Sequence, residues 1–319
     1  MAVLIRFDEI KSLVSNIDIV TAMEEGFIQY SNGNTVVPPV GELLFEKPKG
    51  DVHIKYGYIN NADYYVIKIA SGFYDNPKLG IASGQGMMLL FDQKTGVPKA
   101  ILMDEGHLTD LRTAAAGALS SKYFAPKIVK AIGIIGTGIQ AKLQLQYLQN
   151  QTSCRIVWVW GRHKKNTEKF ATELGADFTI NIATSPSEVA KHCNLIVSTT
   201  PSEIPLLKAD DIHTGTHITA VGSDTHDKQE LESALLGKAD IVIADSIPQS
   251  KNRGEIYRAV KDGEISEHEI DELGKAIQDL KLQRSNDDQI TIVDLTGVAV
   301  QDIMIANAVY AAHLKSQNL

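Results

Sequence analysis

The chain has 319 residues, 44% of them hydrophobic, and a formal net charge of −8 at pH 7. This length allows two domains with a large buried core, and no apolar run is long enough to span a bilayer. The acidic balance argues against a nucleic-acid partner, since phosphate binding depends on a basic surface.

Neither the N-terminus nor the cysteines suggest an exported protein. The first residues lack the basic start and long apolar core of a signal peptide. Cys154 and Cys193 are too few for a disulfide scaffold and lack metal-ligand spacing, which predicts buried reduced thiols and no metal site. We therefore expect a cytoplasmic protein with no membrane partner.

Strand-like segments dominate residues 1 to about 115. Three of them cover residues 64–70, 86–91 and 98–103, and residues 92–96 form a predicted hairpin turn between the last two. These features predict an antiparallel α+β domain. Residues 113–123 are rich in small side chains and end just before Ala125-Pro126, which predicts a tightly packed connecting helix.

From about residue 127 to 293 the pattern repeats a strand followed by a helix. Several strands are nearly all apolar, as strands buried on both faces are, so we predict an α/β, doubly wound parallel sheet of the Rossmann type. We assign residues 116–299 to this domain, and residues 1–115 and 300–319 to the other, because 300–314 has apolar residues at helical spacing. Residues 254–281, the most charged region, predict an exposed helical excursion. The predicted strands are 129–135, 156–160, 178–180, 195–199, 217–221 and 241–244.

A dinucleotide fingerprint follows the first of these strands. Gly136 suits the tight turn, Gly138 suits backbone that approaches a pyrophosphate, and a small residue at Ala141 lets helix and strand pack closely. An ordinary glycine-rich turn is the alternative, but the flanking strands and helix have β-α-β spacing. The predicted cofactor contacts here are Gly136, Thr137, Gly138, Ile139, Gln140 and Ala141.

The end of the second strand favours NADPH over NADH. An NAD site usually carries a carboxylate there for the ribose hydroxyl, whereas this chain has Gly161-Arg162-His163-Lys164. Cations suit a 2′-phosphate, so we predict NADPH, with NADH as a weaker cofactor. A solvated basic turn is the alternative. Ser198, Thr199 and Thr200 follow another apolar strand at the carboxyl edge of the sheet and are further predicted cofactor contacts.

Several flanking segments resemble those of one known family. They are Gly86-Met-Met-Leu-Leu-Phe-Asp92 with Thr95-Gly96, Leu108-Thr-Asp-Leu-Arg-Thr-Ala-Ala-Ala116, the fingerprint, and Gly222-Ser-Asp224 with Lys228-Gln-Glu-Leu231. Together they resemble the ornithine cyclodeaminase and mu-crystallin family over nearly the whole chain. The resemblance implies chemistry at the bond between the α-carbon and nitrogen of an amino or imino acid. It also implies that the first domain binds substrate and forms a homodimer.

The resemblance implies roles for three charged residues. Arg112 would hold the substrate carboxylate in its planar fork, Lys68 would be the second cation on it, and Asp224 would be the acid or base beside the reacting nitrogen. The alternatives are a surface ion pair for Arg112, a solvated strand lysine for Lys68 and a helix N-cap for Asp224. Ser83 and Thr113 match positions near the substrate, and Thr296 and Gly297 match a segment near the nicotinamide.

The chain departs from the family pattern at two places. Many members have an arginine after the Pro-Pro pair, where this chain has Val40. Cyclodeaminases carry a glutamate for the distal amino group in the segment where this chain has His53 and Lys55. The missing glutamate argues against ornithine, and Lys55 is a candidate substitute cation for the substrate carboxylate.

These features predict NADPH-dependent reduction of a small cyclic 2-imino acid. Examples are Δ1-pyrroline-2-carboxylate to L-proline and Δ1-piperideine-2-carboxylate to L-pipecolate. Asp224 would keep the imine nitrogen protonated, which makes its carbon electrophilic. The alternatives are an ornithine cyclodeaminase that recycles NAD, an alanine dehydrogenase, and a non-catalytic NADPH- and small-ligand-binding protein of the mu-crystallin type.

Overall fold

The computed structural model describes residues 2–73 and 75–317. The chain forms two compact units: unit 1 runs to Arg112 and resumes at Val298, and unit 2 comprises Thr113–Gly297. The boundaries predicted from the sequence are 115/116 and 299/300. No break in secondary structure marks the first boundary, because one helix, α3 (His107–Phe124), continues across it.

Unit 1 is built on a mixed sheet. The strand order is β1-β7-β6-β5-β4-β2, with β3 also paired to β4. All pairs are antiparallel except β1 with β7, so the prediction of an antiparallel domain missed one parallel edge. The strands are β1 (Val3–Arg6), β2 (Thr35–Val36), β3 (Gly41–Phe45), β4 (Gly50–Ile59), β5 (Tyr64–Phe73), β6 (Gly84–Asp92) and β7 (Pro98–Met103); the helices are α1 (Phe7–Val14), α2 (Ile19–Ser31) and α11 (Ala299–Ser316).

The predicted hairpin turn between β6 and β7 is confirmed. The side chain of Asp92 accepts hydrogen bonds from the backbone N–H groups of Lys94 and Thr95. Gly96 adopts a left-handed conformation with φ of 71°, which glycine adopts without a Cβ penalty. The predicted C-terminal helix is also confirmed: α11 packs against α2, β4 and β5 of unit 1.

The two faces of the unit 1 sheet differ. Side chains alternate along each strand, and the set containing Lys68, Met88 and Leu90 is buried. The opposite face is apolar but partly accessible, with Leu43 and Tyr56 exposed. The sheet therefore has one covered face that carries charged groups and one apolar face that is only partly covered.

Unit 2 confirms the predicted doubly wound parallel sheet. Its described strands lie in the order β10-β9-β8-β11-β12-β15-β13-β14, and every pair is parallel. The order reverses between β8 and β11, which is the switch point where such sheets bind ligands. The strands are β8 (Ile132–Ile135), β9 (Ile156–Trp160), β10 (Thr179–Ile182), β11 (Leu195–Ser198), β12 (His217–Ala220), β13 (Ile241–Ala244), β14 (Ile270–Glu272) and β15 (Thr291–Asp294).

The prediction of an exposed helical excursion at residues 254–281 is wrong. This segment contains a helix with a buried face, the edge strand β14 paired to β13, and a second helix with Leu273 fully buried. The prediction assumed that charged residues are exposed, whereas Glu255, one of the acidic residues of this segment, is buried. The helices of unit 2 are α4 (Ile139–Leu148), α5 (Lys164–Leu174), α6 (Pro186–His192), α7 (Ser233–Lys238), α8 (Ile247–Ser250), α9 (Gly254–Lys261) and α10 (Leu273–Gln278).

Both cysteines are free thiols, but only Cys193 is buried; Cys154 is half-buried, contrary to the prediction. No helix within residues 2–73 and 75–317 is long and apolar enough to cross a membrane.

Candidate functional site

A buried cluster of charged side chains lies on the covered face of the unit 1 sheet. Lys55 on β4 stands opposite Lys68 on β5 in the strand register. Lys68 Nζ donates to Asp302 Oδ1 of α11 at 3.0 Å, and Arg112 Nε of α3 lies 2.9 Å from the same oxygen. Lys68 and Asp302 are 2% and 1% exposed. Neither a solvated strand lysine nor a surface ion pair describes these contacts.

The cations in this cluster outnumber the ionised carboxylates. Burial, together with the charges of Arg112 and Lys55, lowers the pKa of Lys68 to about 7, although Asp302 opposes this shift. Burial alone would raise the pKa of Asp302, but the three cations outweigh it and hold that pKa below its usual range. Asp104, which also interacts with Lys68, has its pKa raised by burial. Three basic side chains thus lie around Asp302, whose pKa they hold low, and the same side chains would attract an incoming carboxylate.

Asp302 and Gln301 are site residues that the sequence analysis missed. Gln301 Oε1 accepts from Arg112 Nη1 at 2.9 Å, and its Nε2 donates to the backbone oxygen of Arg112. Asp302 Oδ2 is buried and has no hydrogen-bond partner among the described residues. The available signal was the polar Gln-Asp pair inside an otherwise apolar helix, which the apolar spacing of residues 300–314 obscured.

His53 lies between two carboxylates. Its Nδ1 is 3.5 Å from Glu42 Oε1, and its Nε2 is 3.5 Å from Asp51 Oδ1. The segment that lacks the cyclodeaminase glutamate therefore has acidic neighbours, one of them on β3, a strand that the sequence analysis did not predict. Ser83 is exposed at the turn before β6, and its backbone oxygen accepts from Phe73 N.

Unit 2 has a cleft at the carboxyl ends of β8, β9 and β11. It has a volume of about 270 Å³. Its position at the switch point is the one in which doubly wound sheets bind dinucleotides. The lining residues are Gly136, Thr137, Gly138, Trp160, Gly161, Arg162, His163, Asn166, Thr199, Thr200, Pro201, Ser202 and Leu206.

The glycines of this cleft allow close approach of backbone segments. Gly136 has φ of 120°, and a Cβ there would lie 2.5 Å from Thr199 Oγ1. Gly138 is the N-cap of α4, whose N-terminus suits an anion. Ala141 is fully buried against the sheet, whereas Ile139 is exposed; Gln140, between them, is half-buried. The residues present therefore fit a dinucleotide.

Only some residues of the basic turn after β9 line the cleft. Arg162 and His163 line it, together with Asn166, which the sequence analysis did not single out. Lys164 is exposed and lies 3.8 Å from Glu168 on the same helix, and it is not among the lining residues. Arg162 and His163 are thus better candidates than Lys164 for contacts with a 2′-phosphate.

Four other predicted site residues make hydrogen bonds within unit 2. Ser198 is fully buried and donates to Glu230 Oε2, so its side chain does not line the cleft, contrary to the prediction. Thr296 Oγ1 and the N–H of Gly297 both donate to Asp245. Thr113 is on α3, and its backbone oxygen accepts from the side chain of Gln144.

Asp224 lies in a loop of unit 2 and is not a helix cap. Its side chain is 47% exposed and its Oδ1 is 2.5 Å from Lys228 Nζ. The next helix, α7, begins at Ser233. Ser223 Oγ donates to the backbone oxygen of Lys228, and Arg253 donates to that of Asp224, which closes the loop on itself and ties it to the residue before α9.

The doubly wound sheet and the glycine-lined cleft at its switch point define unit 2 as a Rossmann-type, NAD-binding domain. The model of the ornithine cyclodeaminase/mu-crystallin family matches residues 2–317. The chain belongs to this family, as the sequence motifs indicated.

Solved relatives carry several related activities. A Δ1-pyrroline-2-carboxylate reductase of Thermococcus litoralis, in complex with NADH and L-proline, is 30% identical over 98% of both chains, with a TM-score of 0.92. An archaeal alanine dehydrogenase dimer with bound NAD is 33% identical over 100% of this chain and 97% of that chain, with a TM-score of 0.91. The iminosuccinate reductase of Paracoccus denitrificans with NAD⁺ is 31% identical over 99% and 97%, with a TM-score of 0.88. By sequence, the alanine dehydrogenase of Archaeoglobus fulgidus is 37% identical over 95% of this chain and 92% of the relative.

Proposed function

We propose that the protein reduces a small cyclic 2-imino acid with a nicotinamide cofactor, as in the conversion of Δ1-pyrroline-2-carboxylate to L-proline or Δ1-piperideine-2-carboxylate to L-pipecolate. The observation that carries the proposal is the excess of cations in the buried cluster of unit 1. Lys55, Lys68 and Arg112 lie around Asp302 and hold the pKa of its carboxyl group below the usual range. A buried excess of positive charge suits a ligand carboxylate.

Each charged side chain of the proposed site has its own role. Arg112 and Lys68 bind the substrate carboxylate, Lys55 adds a third cation, and Asp302 orients the first two through its shared oxygen. Asp224 holds a proton at the imine nitrogen and so makes the adjacent carbon electrophilic. Ser83, His53 and Thr113 remain candidates for contact with the rest of the substrate. The cofactor, when bound, supplies the hydride.

A substrate panel tests this proposal. Cyclic and linear 2-imino acids, with one and with two carboxylates, are assayed with NADPH and with NADH. We expect the highest kcat/KM with a cyclic monocarboxylate. Faster reduction of a linear or dicarboxylic imino acid would reject the substrate class, and no reduction of any imino acid would reject the enzymatic proposal in favour of a binding protein.

Ornithine is a separate arm of the same panel. We expect no useful release of ammonia from L-ornithine with catalytic NAD, because His53 occupies the segment where cyclodeaminases carry their glutamate. Glu42 and Asp51 lie beside His53 and supply carboxylates in this segment, so the ornithine assay is needed to distinguish the two activities. Ammonia release as fast as imino-acid reduction would favour a cyclodeaminase.

Alanine dehydrogenase is the second candidate. It is favoured by the 37% identity to the Archaeoglobus fulgidus enzyme and by the similarity to the solved archaeal dimer. Alanine and a cyclic imino acid present the same carboxylate to Arg112 and Lys68. Pyruvate with ammonia and NADH distinguishes the two: a kcat/KM above that of the cyclic imino acids would make alanine dehydrogenase the activity.

We infer NADPH as the preferred cofactor and NADH as the weaker one. Arg162 and His163 line the cleft at the end of β9, and no Asp or Glu is among the described residues that line it. The solved relatives carry NADH or NAD⁺, so binding of both cofactors is measured side by side. Tighter binding of NADH would reject the inference.

A homodimer through the accessible face of the unit 1 sheet completes the proposal. That face is apolar, and a large exposed apolar patch on a protein surface is typical of an interface. Light scattering on Tyr56→Lys, with Leu280→Lys in unit 2 as an exposed control, tests it. Dimeric Tyr56→Lys would reject this interface. The exposed apolar residues of unit 1 include Leu4, Val36, Leu43, Phe45, Tyr56 and Met103.

A further inference from the structure

Three buried carboxylates of unit 2 form a chain that joins β15 to the loops of the cofactor cleft. Asp294, at the end of β15, accepts from the backbone N–H of Ile256 in α9 at 3.0 Å. Glu255 of α9 accepts from the backbone N–H groups of Glu230 and Leu231 at 2.7 and 3.1 Å. Each carboxylate thus binds the backbone of the next segment. We call Asp294, Glu255 and Glu230 the carboxylate chain.

Glu230 ends this chain with four hydrogen bonds, which reach the last residue of β11 and the loops after β11 and β12. Its Oε1 accepts from the N–H and the hydroxyl of Thr200, at 2.5 and 2.8 Å. Its Oε2 accepts from the hydroxyl of Ser198 and the N–H of Gly222, both at 2.9 Å. The first loop follows β11 and carries the cleft residues Thr199 and Thr200. The second follows β12 and leads to Asp224.

The four donors suit an ionised carboxylate. Two backbone N–H groups can only donate, so protonation of either carboxyl oxygen would weaken the set of contacts. Burial raises the pKa of Glu230 to about 7, and the hydrogen bonds from Thr200, Ser198 and Gly222 limit that rise. The titratable groups around it are Glu255 on α9 and Asp294 on β15, with Asp245 beyond Asp294.

Glu230 also lies where the two loops approach each other, since a Cβ on Gly222 would clash with the backbone oxygen of Thr200. A Cβ on Gly222 would lie 2.5 Å from Glu230 Oε2, so this carboxylate can reach both loops only because position 222 is a glycine. Beyond Gly222, the loop is closed by Ser223 and Lys228. A shift at Gly222 would therefore be passed on to Asp224.

We propose that Glu230 is a positioning residue that fixes the loop after β11 for dinucleotide binding and, through Gly222, the loop that carries Asp224. The role for Asp224 rests on the proposed function, whereas the role in dinucleotide binding does not. Glu230 touches neither substrate nor cofactor in this assignment. It acts through Thr200 and Gly222.

The test measures NADH binding by fluorescence titration on the full chain between pH 6 and 8.5. NADH lacks the 2′-phosphate, which removes the titration of that group from the result. Glu230→Gln replaces one acceptor oxygen with a donor that faces either Thr200 or Gly222. We expect its Kd for NADH to rise about ten- to a hundredfold at pH 8, the effect of losing one hydrogen bond to a charged group.

The pH profile separates positioning from general damage. In the parent protein we expect the Kd for NADH to rise as the pH falls from 8 to 6, because Glu230 becomes protonated; in Glu230→Gln this dependence should be absent. Glu188→Gln is the matched control. Glu188 on α6 also accepts from the N–H and hydroxyl of one threonine, Thr184, but it does not line the cleft. It should leave both the Kd and its profile unchanged.

A second variant tests the proposal if Glu230→Gln does not fold. Ser198→Ala removes one donor to Glu230 and leaves the carboxylate in place, so we expect a smaller rise, about three- to tenfold, with the pH dependence retained. Parental NADH affinity and profile in Glu230→Gln would overturn the proposal, as would parental affinity in Ser198→Ala if Glu230→Gln is unfolded. Failure of imino-acid reduction with intact NADH binding would instead count against the proposed function.

Discussion

The two units stabilise buried charge in different ways. In unit 1, Asp302 is neutralised by Lys68 and Arg112 in direct ion pairs. In unit 2, the carboxylate chain is held by backbone N–H and hydroxyl groups, and no Lys, Arg or His among the described residues lies within ion-pair distance of its members. The pKa of Asp302 is lowered, whereas burial raises those of Asp294, Glu255 and Glu230.

This difference distinguishes a cluster suited to ligand binding from a cluster that holds backbone segments in place. Ion-paired cations in excess can accept another anion, so the unit 1 cluster is suited to a ligand. The carboxylates of the chain accept hydrogen bonds from backbone N–H and hydroxyl groups and have no cation beside them to attract an anion, so they fix the position of backbone segments. The contrast predicts which substitutions alter substrate binding, which alter stability and which alter turnover.

The largest expected effect comes from a carboxylate that belongs to neither group. Asp224 is half-exposed and paired with Lys228. Asp224→Asn keeps the shape but cannot carry a proton, so we expect turnover of a cyclic imino acid to fall about 10²- to 10⁴-fold. Affinity for NADH and thermal stability should be nearly unchanged. Steady-state kinetics across the pH range checks this, and near-normal turnover would mean that the proton comes from another group.

A direct test of the comparison makes the same change in both units. Asp302→Asn removes the counter-charge of two buried cations and should lower the free energy of unfolding by about 3 kcal/mol or more. Asp294→Asn replaces a carboxylate whose pKa is already raised well above its ordinary value, so we expect a loss of about 1 kcal/mol. Urea unfolding of both variants measures the difference. Equal losses would refute the distinction between the two clusters.

In contrast to these buried charges, Arg162 is an exposed charge of the cofactor cleft. Arg162 lines the cleft and is exposed. Arg162→Ala should raise the KM for NADPH by about ten- to a hundredfold, the value of a charge-assisted hydrogen bond to phosphate, and change that for NADH little. Arg155→Ala, just before β9 and outside the cleft, is the control. An equal effect on both cofactors would reject the phosphate contact.

The smallest expected effect is the titration of Lys68. With a pKa of about 7, this ammonium loses its charge as the pH rises, so affinity for a carboxylate ligand should fall by about fivefold from pH 7 to 8. Pyrrole-2-carboxylate is a suitable probe because its ring nitrogen does not take up a proton in this range. Calorimetric titration should show this slope in the parent chain and a flat profile in Lys68→Arg, since arginine stays charged. A flat profile in the parent would assign the affinity to Arg112 alone.

Local sequence patterns were sufficient for the main elements of the fold. The nearly all-apolar strands and the spacing of strand and helix predicted the doubly wound sheet, and the Asp92–Gly96 turn predicted the hairpin of unit 1. Each of these patterns depends on residues close together in the chain. Family motifs also identified Lys68 and Arg112, which occur in one buried cluster. The strands β1 to β4, β14 and β15 were missed, since short or charged strands are defined by the neighbours they pair with.

Only the tertiary structure decided which groups share a charge. Asp302 lies 234 residues from Lys68 in the chain, and nothing in the local pattern of an apolar helix predicts that one of its turns meets that lysine. Glu230 likewise joins Ser198 and Gly222 through the order of parallel strands. The sequence determined the strand and helix pattern of the doubly wound sheet and the motifs that contain Lys68 and Arg112. The pairing of buried charges, and therefore their pKa values, depends on interatomic distances. Packing sets these distances, and they cannot be inferred from chain position.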